Sequence, residues 1–348
     1  MKKLSLSLLS LICVIFLSSC AGGGSSDTVT INVFNWGDFL DRTILRDFTE
    51  ETGIRVNLDT FASNEEMYVK LVAGGTNYDI VIPSDYMIER MINEGMLEKL
   101  NFDNIPNFRY IDSRFTNLPY DPYNEYSVPY KWGTVGILYN STMVSEPVNS
   151  WNILWDERYA GQIFMYDSMR DSIGVSLKRL GFSLNTRDLT ELEAAGAALI
   201  EQKPLVRAFV GDTVRDSMIG NEGALAVVYS GCAMFTMRNN PDLRFAVPYE
   251  GSNLWFDSIV IPKGSAHKAE AEKFINFLCR PDIALRNVEY TGYSTVNWET
   301  FNMLPEEVRN NPAYWPPDDV FDRVEVFLDL GEFTSEFDRV WIEVLAAS

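Results

Sequence analysis

The stretch TVTINVFNWGDFLDRTILRDFTEETGIRVNLDTF, residues 28–61, decides the fold. TVTINVF is rich in β-formers and reads as a strand. The segment DRTILRDFTEETG puts Ile44, Leu45 and Phe48 on one helical face, and Gly53 supplies the stop. IRVNLDTF is a second strand. Working outward, NEEMYVKLVAGGT reads as a helix ending at Gly74 and Gly75, and YDIVIPS as a third strand apolar enough to be buried on both faces. YMIERMINEGML is another helix. Strands alternating with helices predict a parallel α/β sheet. Such sheets take ligands beyond the carboxyl ends of their strands. Those ends carry Trp36, Gly37 and Asp38 after the first strand, and Ser84, Asp85 and Tyr86 after the third.

A second α/β unit is expected from GTVGILYN, residues 133–140. It takes in GQIFMYDS, SMRDSIGVSLKRLGF, DLTELEAAGAALIEQ and EGALAVVYSGCAMFTMRNN. LWFDSIVIPKGS then starts a strand before the helix AEAEKFINFLC. In that strand Trp255 and Asp257 repeat the aromatic-x-acid spacing of Trp36 and Asp38. An extended backbone sets both members of such a pair on one face. The bland alternative makes Trp255 a core residue at a strand edge and Asp257 a turn cap.

The 348 residues are enough for about two domains at ~100–200 residues each. With 49 Asp+Glu against 29 Lys+Arg the formal net charge is -20, which repels nucleic acid and favours cationic solutes. One histidine, His267 in what reads as a helix start, and no Cys-x-x-Cys exclude most metal and histidine chemistry, so neither cofactor nor metal is expected. Residues 1–19 have a basic start and an apolar run shorter than the ~20 residues a spanning helix needs. That run ends in LSSC, residues 17–20, which resembles a lipoprotein cleavage box and would leave Cys20 as a lipidated N-terminus. A Gly/Ser-rich tether follows to residue 26. Cys232 and Cys279 remain, in apolar surroundings. An exported chain permits a disulfide between them, and two buried thiols are the other reading.

NWGDFL, FTEETGIRV, GGTNYDIVIPSDYMIERM, VPYKWGTVGILYN, LKRLGFSLNT, WFDSIVIPKGS, INFLCRPDIA, YTGYSTVN and LDLGEFTSEFDRVWIEV run in one order over nearly all the chain after the tether. Together they resemble the spermidine/putrescine-binding lipoproteins of ABC importers. The resemblance implies a two-lobed periplasmic-binding-protein fold of the second type: two α/β lobes joined by crossing strands, closing on ligand. It implies residues 27–135 plus 257–300 in one lobe and 136–256 plus 301–348 in the other. It also implies a monomer working with an importer permease and its ATPase.

By the same resemblance, Trp36, Asp38, Phe39, Ser84, Tyr86 and Tyr293 face the ligand from the first lobe. Trp36, Tyr229 and Trp255 wall the alkyl chain, Asp257 takes the central or shared amine and Asp171 a terminal one. Ser168 and Asp171 also have the S-x-x-D form of a capping box. Three positions depart from the family pattern: Tyr229 replaces a tryptophan, Phe39 a tyrosine, and Phe327 a polar residue. Ser168 stands where some members carry a further acid.

The chemistry fits a polyamine independently. Ammonium groups leaving water need carboxylates. Methylenes and adjacent cations favour aromatic faces, at about 0.5–2 kcal/mol per cation–π contact. Paired acids in an aromatic cleft would also suit a glycoside hydrolase, but no catalytic signature accompanies them. Another small cationic solute is the remaining alternative.

Overall fold

The computed structural model describes residues 28–37, 39–74, 77–211, 213–316 and 318–347. Cys20, Asp38 and Gly75 lie outside the described residues. In chain order the first elements are β1 (Thr30–Trp36), α1 (Arg42–Thr52), β2 (Arg55–Phe61), α2 (Asn64–Val72), β3 (Ile80–Val81) and α3 (Asp85–Asn93). Asp41 caps α1 by accepting from the Thr43 amide. The helix ends where Gly53 takes φ 74°, a left-handed conformation costly for any residue with a Cβ. Ile44 and Phe48 are buried beneath it.

The middle of the chain supplies β4 (Ser127–Asn140), β5 (Ile163–Tyr166), α4 (Met169–Arg179), α5 (Leu189–Gln202), β6 (Val206–Val210), α6 (Val214–Ile219), β7 (Leu225–Tyr229), α7 (Ser230–Asn239) and β8 (Leu243–Ala246). Then come β9 (Leu254–Val260), α8 (Lys268–Leu278), α9 (Pro281–Thr291), β10 (Ser294–Thr295) and short helices. The last helix spans Thr334–Ala346.

The strands form one path, β2-β1-β3-β9-β4-β7-β5-β6, with β8 and β10 also paired to β4. The parallel arrangement expected of the first three strands is observed, and the sheet as a whole is mixed. β1 is parallel to β2 and β3, and β5 to β6 and β7, but β4 and β9 run antiparallel to their neighbours. The residues GTVGILYN continue a strand that starts at Ser127. They are the second half of β4, a 14-residue strand. Residues 127–134 of β4 pair with β9, and residues 135–140 pair with β7 and β8.

The buried apolar residues gather into three clusters. One holds Phe34, Phe48, Trp132, Phe256 and Phe274. A second holds Trp151, Ile173, Val227, Trp255 and Phe337, and a third Leu138, Val228, Met234 and Tyr314. Alternation along β4 and β9 sends Trp132 and Phe256 into the first cluster and Val135 and Trp255 into the second. Trp36 and Tyr130 pack against both. Phe39 belongs to the second cluster, and Trp315 packs against the first and third. Cys232 and Cys279 are both buried, and no disulfide joins them. No helix among the described residues is long and apolar enough to cross a membrane.

Candidate binding site

β4 and β9 present one shared face. Their register pairs Lys131 with Asp257 and Gly133 with Trp255, so these four residues line the same side of the sheet. Gly133 is there because of the indole. A Cβ at that position would lie 2.6 Å from Trp255 Cζ2 and 2.6 Å from Ser230 Oγ. Gly231 serves Tyr293 in the same way, since a Cβ would fall 2.1 Å from its ring. Two glycines let two aromatic rings lie flat on backbone.

From there the rings form a row. Phe39 and Tyr293 have centroids 5.2 Å apart, Tyr293 and Trp255 5.5 Å, Trp255 and Tyr229 5.8 Å, and Tyr229 and Tyr166 4.8 Å. Most contacts are edge-to-face, the arrangement that ring quadrupoles favour. At one end Tyr229 donates its hydroxyl to Asp171 Oδ2 at 2.7 Å, and Ser168 donates to the same oxygen at 2.7 Å. Ser168 also caps α4, so the S-x-x-D reading holds, but the Asp171 side chain turns to Tyr229 as well. Asp171 Oδ1 is buried without a partner that meets hydrogen-bond geometry. Burial pushes the Asp171 carboxyl up, and the bonds from Tyr229 and Ser168 oppose it.

Asp257 sits in mid-strand, not in a turn, and accepts from Ser84 Oγ at 2.7 Å. Ser84 is the N-cap residue of α3 yet makes no side-chain cap bond. Its hydroxyl is spent on Asp257, joining two elements 173 residues apart. Burial raises the Asp257 carboxyl to about 7, against the Ser84 bond and the charge of Lys131, which both lower it. The neighbouring Asp85 accepts from the Tyr86 amide at 2.7 Å and the Phe256 amide at 3.1 Å, locking α3 to β9. The hydroxyl of Tyr86 accepts from Asn64 and donates to Glu65, both at 3.0 Å. The Tyr86 ring lies 5.7 Å from the Arg170 guanidinium of α4.

Of the ten ligand-facing residues expected, the structure joins Phe39, Tyr293, Trp255, Tyr229 and Asp171 in one row and couples Ser84 to Asp257. Trp36 stands at the end of β1, half-buried against the Phe61 ring at 4.5 Å, with its indole N–H unpartnered. The Trp255 indole N–H is likewise buried without a partner. Asp38 is the tenth and lies outside the described residues.

The sequence reading missed two buried cations. Arg170 donates to Asn185 Oδ1 at 3.1 Å and lies 4.3 Å from the Phe327 ring. Lys131 donates to the Phe39 carbonyl at 2.6 Å and Thr291 Oγ1 at 3.1 Å. A lysine inside the apolar run VPYKWGTVGI was the available signal. No group of His, Cys, Asp and Glu able to hold a metal occurs among the described residues.

The family of bacterial extracellular solute-binding proteins matches residues 43–316. The spermidine/putrescine-binding periplasmic protein of Salmonella typhimurium is 35% identical over 92% of this chain and 93% of its own. The spermidine/putrescine ABC transporter substrate-binding protein of Streptococcus pneumoniae superposes with a TM-score of 0.83 at 41% identity, covering 91% of this chain and 98% of that one. A Treponema pallidum lipoprotein also superposes with a TM-score of 0.83, at 27% identity over 90% of this chain and 99% of that one.

Proposed function

The chain belongs to the bacterial extracellular solute-binding proteins, and on that premise we propose that it captures a polyamine outside the cytoplasm and hands it to an ABC importer. It is a binding protein and not an enzyme. The observation that carries the solute class is the aromatic row that ends on Asp171 and passes beside Asp257. Flat rings receive methylenes and attract the adjacent cations. The two buried acids receive ammonium groups that would be costly to bury alone.

Asp257, held by Ser84, takes one amine, and Asp171, with its free oxygen, takes another. Trp36, Phe39, Tyr229, Trp255 and Tyr293 wall the chain, and Tyr86 closes the side toward Arg170. Asp38 adds a further acid beyond β1. The lobes of the trap are residues 27–135 plus 257–300 and residues 136–256 plus 301–348, hinged where β4 and β9 cross. Cys20 carries the lipid that tethers the protein to the membrane. The Treponema pallidum relative is described as a lipoprotein, which supports that reading.

Putrescine is the favoured ligand and spermidine the weaker one. Phe327 is buried against Arg170 and offers no hydrogen bond, and Ser168 brings no second carboxylate beside Asp171. A third ammonium without an acceptor loses more than the added methylenes gain at ~0.8 kcal/mol per buried CH₂. Competition calorimetry of both polyamines on one preparation of residues 27–348 tests this. Absence of binding by either overturns the solute class, and equal or reversed affinities overturn the preference alone.

A further inference from the structure

Asn253 is 4% exposed, and its side-chain oxygen is buried with no hydrogen-bond donor. It stands just before β9 and continues that strand's pairing. The Val135 amide donates to its carbonyl at 3.1 Å, and a parallel bridge joins it to Glu325. Alternation therefore sets Asn253, Trp255 and Asp257 on one face, the face that carries the aromatic row. Asn253 is also close to Asp171. Burial raises that carboxyl, and after Tyr229 and Ser168 the Asn253 side chain is the next to oppose the rise.

Asn253 and Asp171 line one small cavity, together with Val135, Trp151, Lys178 and Phe327. Asp171 Oδ1, like Asn253 Oδ1, is buried without a donor. Two unpaired acceptors in one enclosure are costly, and what they lack is a group with at least two N–H or O–H bonds to give. The cavity leaves about 10 Å³ for the centre of such a group, enough for one water-sized body. Charge decides between an ammonium and a water. Among the described residues lining the cavity Lys178 is the only cation, and its ammonium is paired with Glu325 at 2.7 Å. The neighbouring Arg170 guanidinium is spent on Asn185 and on the Leu184 and Leu328 carbonyls. The Asp171 carboxylate is left to attract a cation.

Spacing agrees. Asn253 and Asp257 are four residues apart on an extended strand, ~13 Å at ~3.3 Å per residue. A four-carbon diamine separates its nitrogens by five bonds, roughly 6 Å in zigzag, and a hydrogen bond of about 2.9 Å at each end brings the span to ~12 Å. We infer that Asn253 Oδ1 and Asp171 Oδ1 accept from the same ammonium, the far end of a diamine whose other amine rests on Asp257. This rests on the polyamine reading of the site and deepens it. Asn253 is neutral, so it completes the shell of that one amine and brings no charge for a third.

The test is a pair of wild-type crystal structures, with and without putrescine, alongside putrescine calorimetry on Asn253→Leu. In the complex one ligand nitrogen lies within hydrogen-bond distance of both oxygens. A water in the cavity of both crystals, with the nitrogen elsewhere, overturns the inference whatever the variant does. Asn253→Leu binds putrescine roughly tenfold more weakly or worse, the loss expected of one hydrogen bond from a charged donor. Affinity within threefold of wild type overturns the inference. If Asn253→Leu does not fold, Asn253→Ala carries the same expectation, and the wild-type crystals need no variant. Wild type that binds neither putrescine nor spermidine overturns the site reading and this inference together. Wild type that binds putrescine with both nitrogens away from Asn253 overturns this inference alone.

Discussion

Asp257→Asn separates binding from stability. The substitution keeps the volume and an oxygen for the Ser84 hydroxyl, and it removes the charge. Removing one partner of a buried ion pair costs about 3–5 kcal/mol, so putrescine affinity falls a hundredfold or more at ~1.4 kcal/mol per factor of ten. Stability of the ligand-free protein moves the other way. The Asp257 carboxyl titrates at about 7 in the fold and at about 3.9 in an unfolded chain. Between those values the folded state keeps a proton that the unfolded state has released. Stability from this group therefore falls as pH rises from about 3.9 to about 7 and is level above that.

Three units at ~1.36 kcal/mol each make the burden roughly 4 kcal/mol at pH 8, shrinking to about 1.5 kcal/mol at pH 5. Asparagine never carries that burden. The ligand-free variant should thus be more stable than wild type at pH 8, by on the order of 1–4 kcal/mol, with the gap narrowing at pH 5. Calorimetric titration and thermal unfolding at both pH values measure the two effects. Asp59→Asn is the control, because Asp59 is exposed on β2 and accepts from the Tyr78 hydroxyl at 2.7 Å. Putrescine binding within threefold of wild type, or a lower unfolding midpoint at pH 8, refutes the reasoning.

Wild-type affinity for putrescine should itself drop roughly tenfold from pH 8 to pH 6 as Asp257 takes up a proton, while Asp257→Asn shows a flat profile over that range. Trp36→Ala should weaken binding by about 1–2 kcal/mol, less than loss of Asp257, since it strands no charge; calorimetry ranking it above Asp257→Asn would contradict the assigned roles. Gly133→Ala should displace the Trp255 indole, because the new methyl meets Cζ2 at 2.6 Å, and tryptophan fluorescence together with weakened binding would report it. Cys20→Ala should abolish incorporation of labelled palmitate and leave the precursor poorly processed; undiminished labelling would remove the lipid anchor from the account.

The first half of the fold was legible because local signals agreed. Asp41 at the start of α1, Gly53 at its end and the apolar face between them need no tertiary information. The crossing strand was not legible in the same way. VPYKWGTVGILYN divides at Gly133 when read for turns, and its pairing with β9 before that glycine and with β7 and β8 after it keeps it extended. β3 shrinks to two residues because its pairing with β9 is a single register pair, a matter of tertiary geometry. Within the site, aromatic and acidic residues announce themselves by type and spacing. Lys131 shows only as a lysine within an apolar run, and Arg170 not at all, because the rings that surround a buried cation come from distant parts of the chain.

The first apolar cluster draws on residues from Ile31 to Trp132 and then on Phe256 to Val296. A chain emerging from its N-terminus therefore has β1, β2 and β3 long before β9 arrives to flank β3 and the start of β4. Until then Trp132 lacks Phe256 as a neighbour, and Phe48 lacks Phe274 and Phe277, whose rings lie 4.9 and 5.3 Å away. Contacts that span more than 200 residues make the ordering of this half slow, and the N-terminal hundred residues have no complete core of their own. The same threading that lets one strand serve both halves of the molecule keeps its leading half pliable until most of the polypeptide has been delivered.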